Sequence, residues 1–190
     1  MTDDPTKLTL PEILTEAETI SKDAQAAFGH LNAEQINWRP RAEQWSVGQC
    51  FEHLITSNRE FFPQFDQIIE GGRKNTLWQS MPFLPGLFGG MLIKGLGPAS
   101  QQKFKAPKNF QPLSSEINPR IVSEFVTHQI EVIGKIKATT GIDLEKVIIY
   151  SPVTKVMTYN LIDAYRIIVL HERRHLKQAQ HVMEAPGFPR

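Results

Sequence analysis

The chain has 190 residues, of which 41% are hydrophobic and 22% are charged, and its formal net charge is +1. These values are ordinary for a single globular domain over residues 1–190, and they give no argument for nucleic acid or a membrane as a partner. One cysteine excludes an internal disulfide framework and fits a cytoplasmic location, and no apolar run of about 20 residues predicts a transmembrane helix.

Apolar residues at helical spacing predict a first helix from Leu8 to Phe28. Gly29 follows it, and glycine commonly ends a helix because it tolerates conformations that other residues avoid. The next residues, 31–45, predict a connector, because Pro40 is incompatible with the interior of a helix.

A second helix is predicted from about Val47 to Ile69, where apolar residues again recur at helical spacing. Ser46 precedes it and Gln49 follows three residues later, which is the capping-box pattern of a helix start. Pro63 lies inside this predicted helix and is expected to kink it.

Residues 72–115 are rich in Pro and Gly and predict an irregular insertion between the second and third helices. Within the insertion, residues 81–97 are apolar but too short and too often broken to span a bilayer. This segment is interpreted as a loop packed onto the helices. A lid over a pocket and a contact between subunits are the alternatives.

Two more helices are predicted in the second half of the chain. The third runs from about Ser115 to Thr139, and the connector over 142–158 shows no convincing strand alternation. The fourth begins at Leu161 and continues without Gly or Pro to His181. Four amphipathic helices predict an all-α fold, an antiparallel four-helix bundle, and such bundles commonly build metal sites from side chains on facing helices.

Two histidines of the fourth helix are the strongest candidates for chemistry. His171 and His175 are four residues apart, so a helix stacks them one turn apart, with about 6 Å between their side-chain origins. Two imidazoles at that separation can bind one metal ion at roughly 2.0–2.1 Å each. The pair therefore predicts a metal site on this helix.

The same residues match a zinc metalloprotease signature, but their surroundings argue against that interpretation. His171-Glu172-Arg-Arg-His175 satisfies H-E-x-x-H, and His181 stands where the longer signature has its third ligand. The longer signature requires glycine at position 178, where this chain has Gln178. An uninterrupted helix places His181 about 15 Å beyond His171, which is too far for one metal ion to bridge.

A third metal ligand is therefore expected from another helix. His53 lies on the inward edge of the predicted second helix and is the leading candidate. His128 lies on the inner edge of the predicted third helix and is a candidate for a substrate contact or for a neighbour of the metal ligands. His128, Cys50 and Glu172 are the alternatives if His53 is not the third ligand.

Two segments of the chain resemble the DinB-like superfamily of metal-binding helical bundles. The first is Trp45-Ser-Val-Gly-Gln-Cys-Phe-Glu-His53-Leu, in which Trp-Ser opens a helix that carries a histidine two turns later. The second is His171-Glu-Arg-Arg-His175 on the last helix. The resemblance covers essentially the whole chain. It implies a four-helix bundle, often dimeric, with a divalent metal held by His53, His171 and His175 in an open pocket.

The resemblance also implies a class of reaction. Characterised relatives include transferases and isomerases that use low-molecular-weight thiols such as bacillithiol, mycothiol or glutathione, so a small-thiol-dependent transferase with a small-molecule substrate is expected. A metal-dependent hydrolase of a small ester or amide and a non-catalytic metal-binding module of a stress response are the alternatives. Zinc is the expected metal, with nickel or iron as alternatives, and a homodimer is expected from the resemblance.

Glu172 lies on the apolar face of the fourth helix, where a carboxylate needs a polar partner. We interpret it as a residue that orients a ligand histidine or pairs with Arg166 or Arg173. A catalytic role as general base is the alternative.

Three further side chains are candidates for the surroundings of the metal. Gln49 and Gln178 each lie one turn from a predicted ligand histidine and could hydrogen-bond that histidine or a bound water. Cys50 lies close to His53 along the chain. It is interpreted as a buried apolar cysteine, with a thiolate ligand as the alternative.

Overall fold

The computed structural model describes residues 4–71, 84–96, 110–112, 116–154 and 156–190. Within these residues the chain is mostly helical, in agreement with the predicted all-α class, and it carries one small two-stranded sheet. The helices are α1 (Leu10–Phe28), α2 (Ala33–Asn37), α3 (Val47–Arg59), α4 (Phe62–Ile69), α5 (Leu84–Leu96), α6 (Ile121–Ala138) and α7 (Leu161–Met183), and the strands are β1 (Ile148–Tyr150) and β2 (Thr158–Asn160).

The predicted first helix is confirmed, and its start is set by a local hydrogen bond. Thr9 precedes α1, and its backbone N–H donates to the Glu12 carboxylate at 2.7 Å, which satisfies a group that the helix itself cannot pair. The predicted third helix is shorter than expected. Residue 115 lies outside the described residues, and α6 begins only at Ile121.

The predicted second helix is two helices, so the expectation of one kinked helix is wrong. The helical hydrogen bonds of α3 end at Arg59, and α4 begins at Phe62. Pro63 lies in the first turn of α4, where its missing N–H has no intrahelical acceptor to lose. The proline therefore begins a new helix instead of bending an existing one.

The prediction of an irregular insertion is wrong for residues 84–96, which form α5. α5 packs against α7 and β2, and Ile93 is completely buried there. The Arg174 guanidinium of α7 donates to the Gly95 carbonyl at 3.1 Å. Packing has overridden the low helix propensity of the glycines, and the interpretation as a packed segment holds for these residues. The rest of the apolar segment 81–97 lies outside the described residues.

A β-hairpin in the connector before α7 is missing from the sequence-based prediction. β1 and β2 pair antiparallel, with Ile149 opposite Tyr159, and both of these side chains are buried. Each strand has only three residues, which is too short for a period-two pattern to be recognised. β2 leads directly into α7, so the hairpin fixes where that helix begins.

The contacts between α3, α4 and α6 give their relative direction. Phe51 meets Phe125 at 5.2 Å between ring centroids, and further along both segments Asp66 pairs with Lys135. The numbers of the contacting residues rise on both sides from the first pair to the second, so α3 and α4 run parallel to α6. The predicted antiparallel order does not hold for this pair, because the long connection between them lets the chain return to the same end.

The last helix, α7, runs in the opposite direction to α6. Gln129 meets Glu172 in the core, and Thr139 meets Tyr165, so the numbers fall on one helix as they rise on the other. α1 packs against both of these helices. No helix among the described residues is long and apolar enough to cross a membrane.

Candidate metal centre

Three histidines from two helices converge at one point of the described structure. His53 comes from α3, and His171 and His175 come from successive turns of α7. One ring nitrogen from each lies within 4.8 Å of the others, and the Nε2 atoms of His53 and His171 are 3.1 Å apart. The helical spacing of four residues supplies the pair on α7, and the packing of α3 against α7 supplies the third ring.

The orientation of His53 is set by the backbone of the insertion. Its Nδ1 lies 2.6 Å from the carbonyl oxygen of Phe110 and 3.4 Å from the Ser57 hydroxyl. A neutral imidazole that donates Nδ1–H to this carbonyl keeps the lone pair of Nε2 free. That lone pair faces His171, so the Phe110 carbonyl holds the ring in the tautomer that a metal ligand requires.

Trp45 covers one side of the histidine cluster. Its ring is stacked on His175 with 5.6 Å between centroids and a 19° angle between planes, and it lies 4.9 Å from the His53 ring. These contacts restrict the rotation of both imidazoles and keep water from that side. In the sequence, Trp45 stood out only as the start of the segment that resembles metal-binding bundles. Phe110 was missed because nothing in the sequence marks a backbone carbonyl that accepts a hydrogen bond from a histidine.

All three rings are held in the neutral form. Burial lowers the pKa of His53, and it lowers the pKa of His171 to about 3, with the His53 ring and the Arg174 charge acting in the same direction. Burial also holds the pKa of His175 well below its usual range, again with contributions from the neighbouring rings and Arg174. Neutral imidazole is the form that binds metal ions.

The residues present fit a divalent metal ion. Two nitrogens bound to one ion in tetrahedral geometry are about 3.4 Å apart, close to the 3.1 Å between the Nε2 atoms of His53 and His171. The Nδ1 atom of His175 is buried without a hydrogen-bond partner among the described residues. Lone pairs that converge without protons between them are stabilised when a cation lies between them. Three imidazoles suit several divalent transition metals.

Glu172 follows His171 in the chain, and its side chain is completely buried. Two amide side chains hold it in place. Its Oε1 accepts hydrogen bonds from Asn58 of α3, at 2.7 Å, and from Gln129 of α6. Burial raises the pKa of Glu172 to about 7, although both amide hydrogen bonds act in the opposite direction. The expected polar partner therefore exists. The sequence analysis singled out neither Asn58 nor Gln129, because helical periodicity does not show which residues of other helices meet a buried carboxylate.

The arginines predicted to pair with Glu172 have other partners, so that prediction is wrong. Arg166 pairs with Asp163 at 2.8 Å, and Arg173 pairs with Glu16 and Asp23 of α1. Arg166 thus pairs within α7 and Arg173 pairs across to α1, whereas the hydrogen bonds to Glu172 that the described residues show come from the amides of Asn58 and Gln129.

Of the three other side chains predicted near the metal, Gln178 contacts a histidine of the cluster, whereas Gln49 and Cys50 have other surroundings. Gln178 lies beside His175; burial dominates and lowers the pKa of this ring, whereas a hydrogen bond that the ring donates to Gln178 acts in the opposite direction. Gln49 takes part in the capping box with Ser46 at the start of α3. Cys50 is buried outside the histidine cluster, and burial raises the pKa of its thiol to about 12, which agrees with the apolar interpretation.

His128 does not belong to the cluster. It lies in a groove between α3 and α6, where its ring is stacked on Phe62 with 5.3 Å between centroids. Sequence periodicity placed it correctly on the inner edge of its helix. It could not show that this edge faces a different side of α3 from the one that carries His53.

The fold and the site define a mostly helical protein with a three-histidine cluster that fits a divalent metal. The profile of the DinB superfamily matches residues 16–179, a span that includes all three histidines, and the chain belongs to that superfamily. The resemblance seen in the sequence is thereby confirmed. Comparisons with curated proteins and with solved structures give no match.

Proposed function

We propose that this protein is a metal-dependent enzyme that transfers a low-molecular-weight thiol to a small electrophilic substrate, within a bundle formed by α1, α3, α6 and α7. The observation that carries the proposal is the convergence of three neutral imidazoles. Among the described residues, no fourth histidine, cysteine or carboxylate side chain joins this cluster. Three histidines leave a coordination position open, which is the pattern of catalytic zinc. A divalent ion held there lowers the pKa of a thiol bound to it.

Arg174 supports an anionic cosubstrate at this site. Its positive charge lowers the pKa values of His171 and His175, which places the guanidinium close to both rings. One of its nitrogens donates to the Gly95 carbonyl, so α5 holds the side chain in place. A positive charge close to His171 and His175 attracts a thiolate and the carboxylates that small biological thiols carry.

The environment of Glu172 favours thiol transfer over the hydrolase alternative. Hydrolysis of an ester or amide needs a group that moves a proton from water, and Glu172 was the candidate general base. Two amides hold its carboxylate in the core, and none of the residue is exposed. A thiol that is already ionised needs no such base.

We propose zinc as the metal, a small molecule as the substrate, and a homodimer as the assembly.

The first experiment measures metal content by mass spectrometry on protein purified without a polyhistidine tag. Wild type is compared with His53→Ala and with His181→Ala, a matched control on the exposed side of α7. We expect about one divalent ion per chain in wild type and in His181→Ala, and at least a tenfold lower content in His53→Ala, because two ligands on α7 bind far more weakly than three.

The same three proteins are then assayed for conjugation of glutathione and of free cysteine to a chlorinated dinitrobenzene. Activity that follows metal content supports thiol transfer. Absence of metal after reconstitution with zinc, nickel and iron contradicts a metal centre. Metal without thiol transfer leaves the non-catalytic binding module, and thiol-independent hydrolysis of a nitrophenyl ester favours the hydrolase.

A further inference from the structure

A concave feature of the molecule, separate from the histidine cluster, lies between α3 and α6. It is a groove of about 940 Å³, within the size range of sites that bind small organic ligands. Glu52, Ile55 and Arg59 line it from α3, and none of the three clustered histidines is among its lining residues. Successive positions of α3 therefore serve two sites, with His53 turned to α7 and Glu52 turned to α6.

His128 is the unusual residue of this groove. Its side chain is only 2% exposed, and neither ring nitrogen has a hydrogen-bond partner among the described residues. The nearest carboxylate oxygen, from Glu131, is 3.9 Å from Nδ1, which is too long for a hydrogen bond. Buried polar groups without partners are strongly unfavourable. An unpartnered imidazole that lines a groove of this size indicates a polar ligand.

The charges of the groove narrow the chemistry of that ligand. Arg59 and Arg120 contribute two positive charges, and Glu52, Glu124 and Glu131 contribute negative ones. No ion pair among the described residues joins either arginine to a carboxylate. Charges of both signs that do not pair with each other are available to pair with a ligand.

A metal ion and a simple anion both fit this arrangement poorly. Burial lowers the pKa of His128 to about 4, and the Arg59 charge acts in the same direction. The same charge repels a cation near the ring. No three ligand atoms of histidine, cysteine or carboxylate side chains converge here in the described part of the chain. An anion alone would meet three glutamates. A ligand that carries both charges satisfies both sets of side chains.

We propose that the groove between α3 and α6 binds a small zwitterion, a free amino acid or a short peptide, whose carboxylate pairs with Arg59 and whose ammonium group pairs with the groove glutamates. His128 supplies a hydrogen bond to the carboxylate of the ligand or, in a peptide, to the amide between the two charged ends. Ile55 and Ile130 line the same groove, and Ile130 is 70% exposed, so an apolar side chain of the ligand has a surface to cover.

Isothermal titration calorimetry with leucine and with leucyl-leucine tests this proposal on the wild-type chain. We expect at least one of the two to bind. Acetylation of its amino group and amidation of its carboxylate should each weaken binding at least tenfold, because each removes one charge. Arg59→Gln and His128→Phe should also weaken binding at least tenfold. Arg41→Gln, a control at an exposed arginine outside the groove, should bind as wild type does.

A further titration distinguishes binding in the groove from binding at the metal centre. It is needed because free amino groups and carboxylates also chelate metals. His53→Ala should bind leucyl-leucine as wild type does. Loss of binding in His53→Ala would assign the ligand to the metal centre and overturn the proposal. It is equally overturned if neither probe binds, if the capped probes bind as well as the free ones, or if Arg59→Gln binds unchanged.

Discussion

At the scale of single residues, the buried carboxylate of Glu172 connects three helices. It lies on α7 and accepts hydrogen bonds from Asn58 on α3 and Gln129 on α6. A buried carboxylate without partners would destabilise the core, whereas the two amides that donate to Oε1 of Glu172 fix how the three helices meet. The residue is thus understood as a link between helices that lies next to His171 in the chain.

We expect Glu172→Ala to lower the free energy of unfolding by about 3 kcal/mol, because it leaves a cavity and two buried amides without an acceptor. Glu172→Gln should lower it by about 1 kcal/mol or less, because an amide still offers an oxygen to Asn58. The N–H of the new amide at position 172 can donate to the Oε1 of Gln129, which has no partner among the described residues. Urea unfolding of the metal-free proteins measures both values.

The catalytic alternative for Glu172 gives a different result. If Glu172 is a general base, Glu172→Gln keeps its stability and its metal but loses most of its activity. If it only links helices, Glu172→Gln retains activity close to that of wild type. The comparison is informative because the amide keeps the shape of the side chain.

At the scale of elements, a close approach between α5 and α7 holds the apolar segment against the helices. A Cβ atom added at Gly89 would lie 2.9 Å from Cγ and 3.0 Å from Cβ of Asp163. Asp163 cannot easily move away, because it pairs with Arg166 at 2.8 Å and is 7% exposed. Glycine at this position lets the two helices meet, which explains a residue that weakens the helix itself.

Gly89→Ala should therefore lower the free energy of unfolding by about 1–2 kcal/mol, because α5 must shift away from α7. Gly90→Ala is the matched control. No atom lies within 4 Å of a Cβ added there, so its higher helix propensity should stabilise the protein by up to about 1 kcal/mol. Equal effects of the two substitutions in chemical denaturation would contradict the close packing of α5 on α7.

At the scale of the whole molecule, the histidine cluster joins distant parts of the chain. His53 and His171 are 118 positions apart, and they meet only when α3 packs against α7. A metal ion bound by both helices stabilises the folded chain and has no comparable site in the unfolded one. We therefore expect metal binding at this cluster to be coupled to folding.

We expect zinc at about 100 times its dissociation constant to add about 2.7 kcal/mol to the free energy of unfolding. For a chain of this size, that corresponds to a rise of roughly 5–10 °C in Tm. The measurement is thermal unfolding of chelator-treated protein with and without zinc. His53→Ala should show little of the shift, and His181→Ala should show all of it. An equal shift in all three proteins would place the metal elsewhere.

The sequence determined the features that depend on neighbouring residues. Helix starts follow from capping boxes such as Ser46 with Gln49, and the pairing of His171 with His175 follows from helical spacing, because these interactions span four residues or fewer. Helical periodicity made His53 the leading candidate for the third ligand, and the family resemblance implied the same residue. Short strands and the start of α4 were missed, because their local patterns are weak.

Only the tertiary structure decided what lies opposite each residue. The carbonyl of Phe110 orients His53, and Asn58 with Gln129 holds Glu172, through contacts between residues more than forty positions apart. Helical periodicity predicts which residues of a helix are buried, but the neighbouring helix that they meet depends on how the whole chain packs. The same reason explains why His128 lies in a separate groove and why the glycine-rich segment 84–96 folds as a helix.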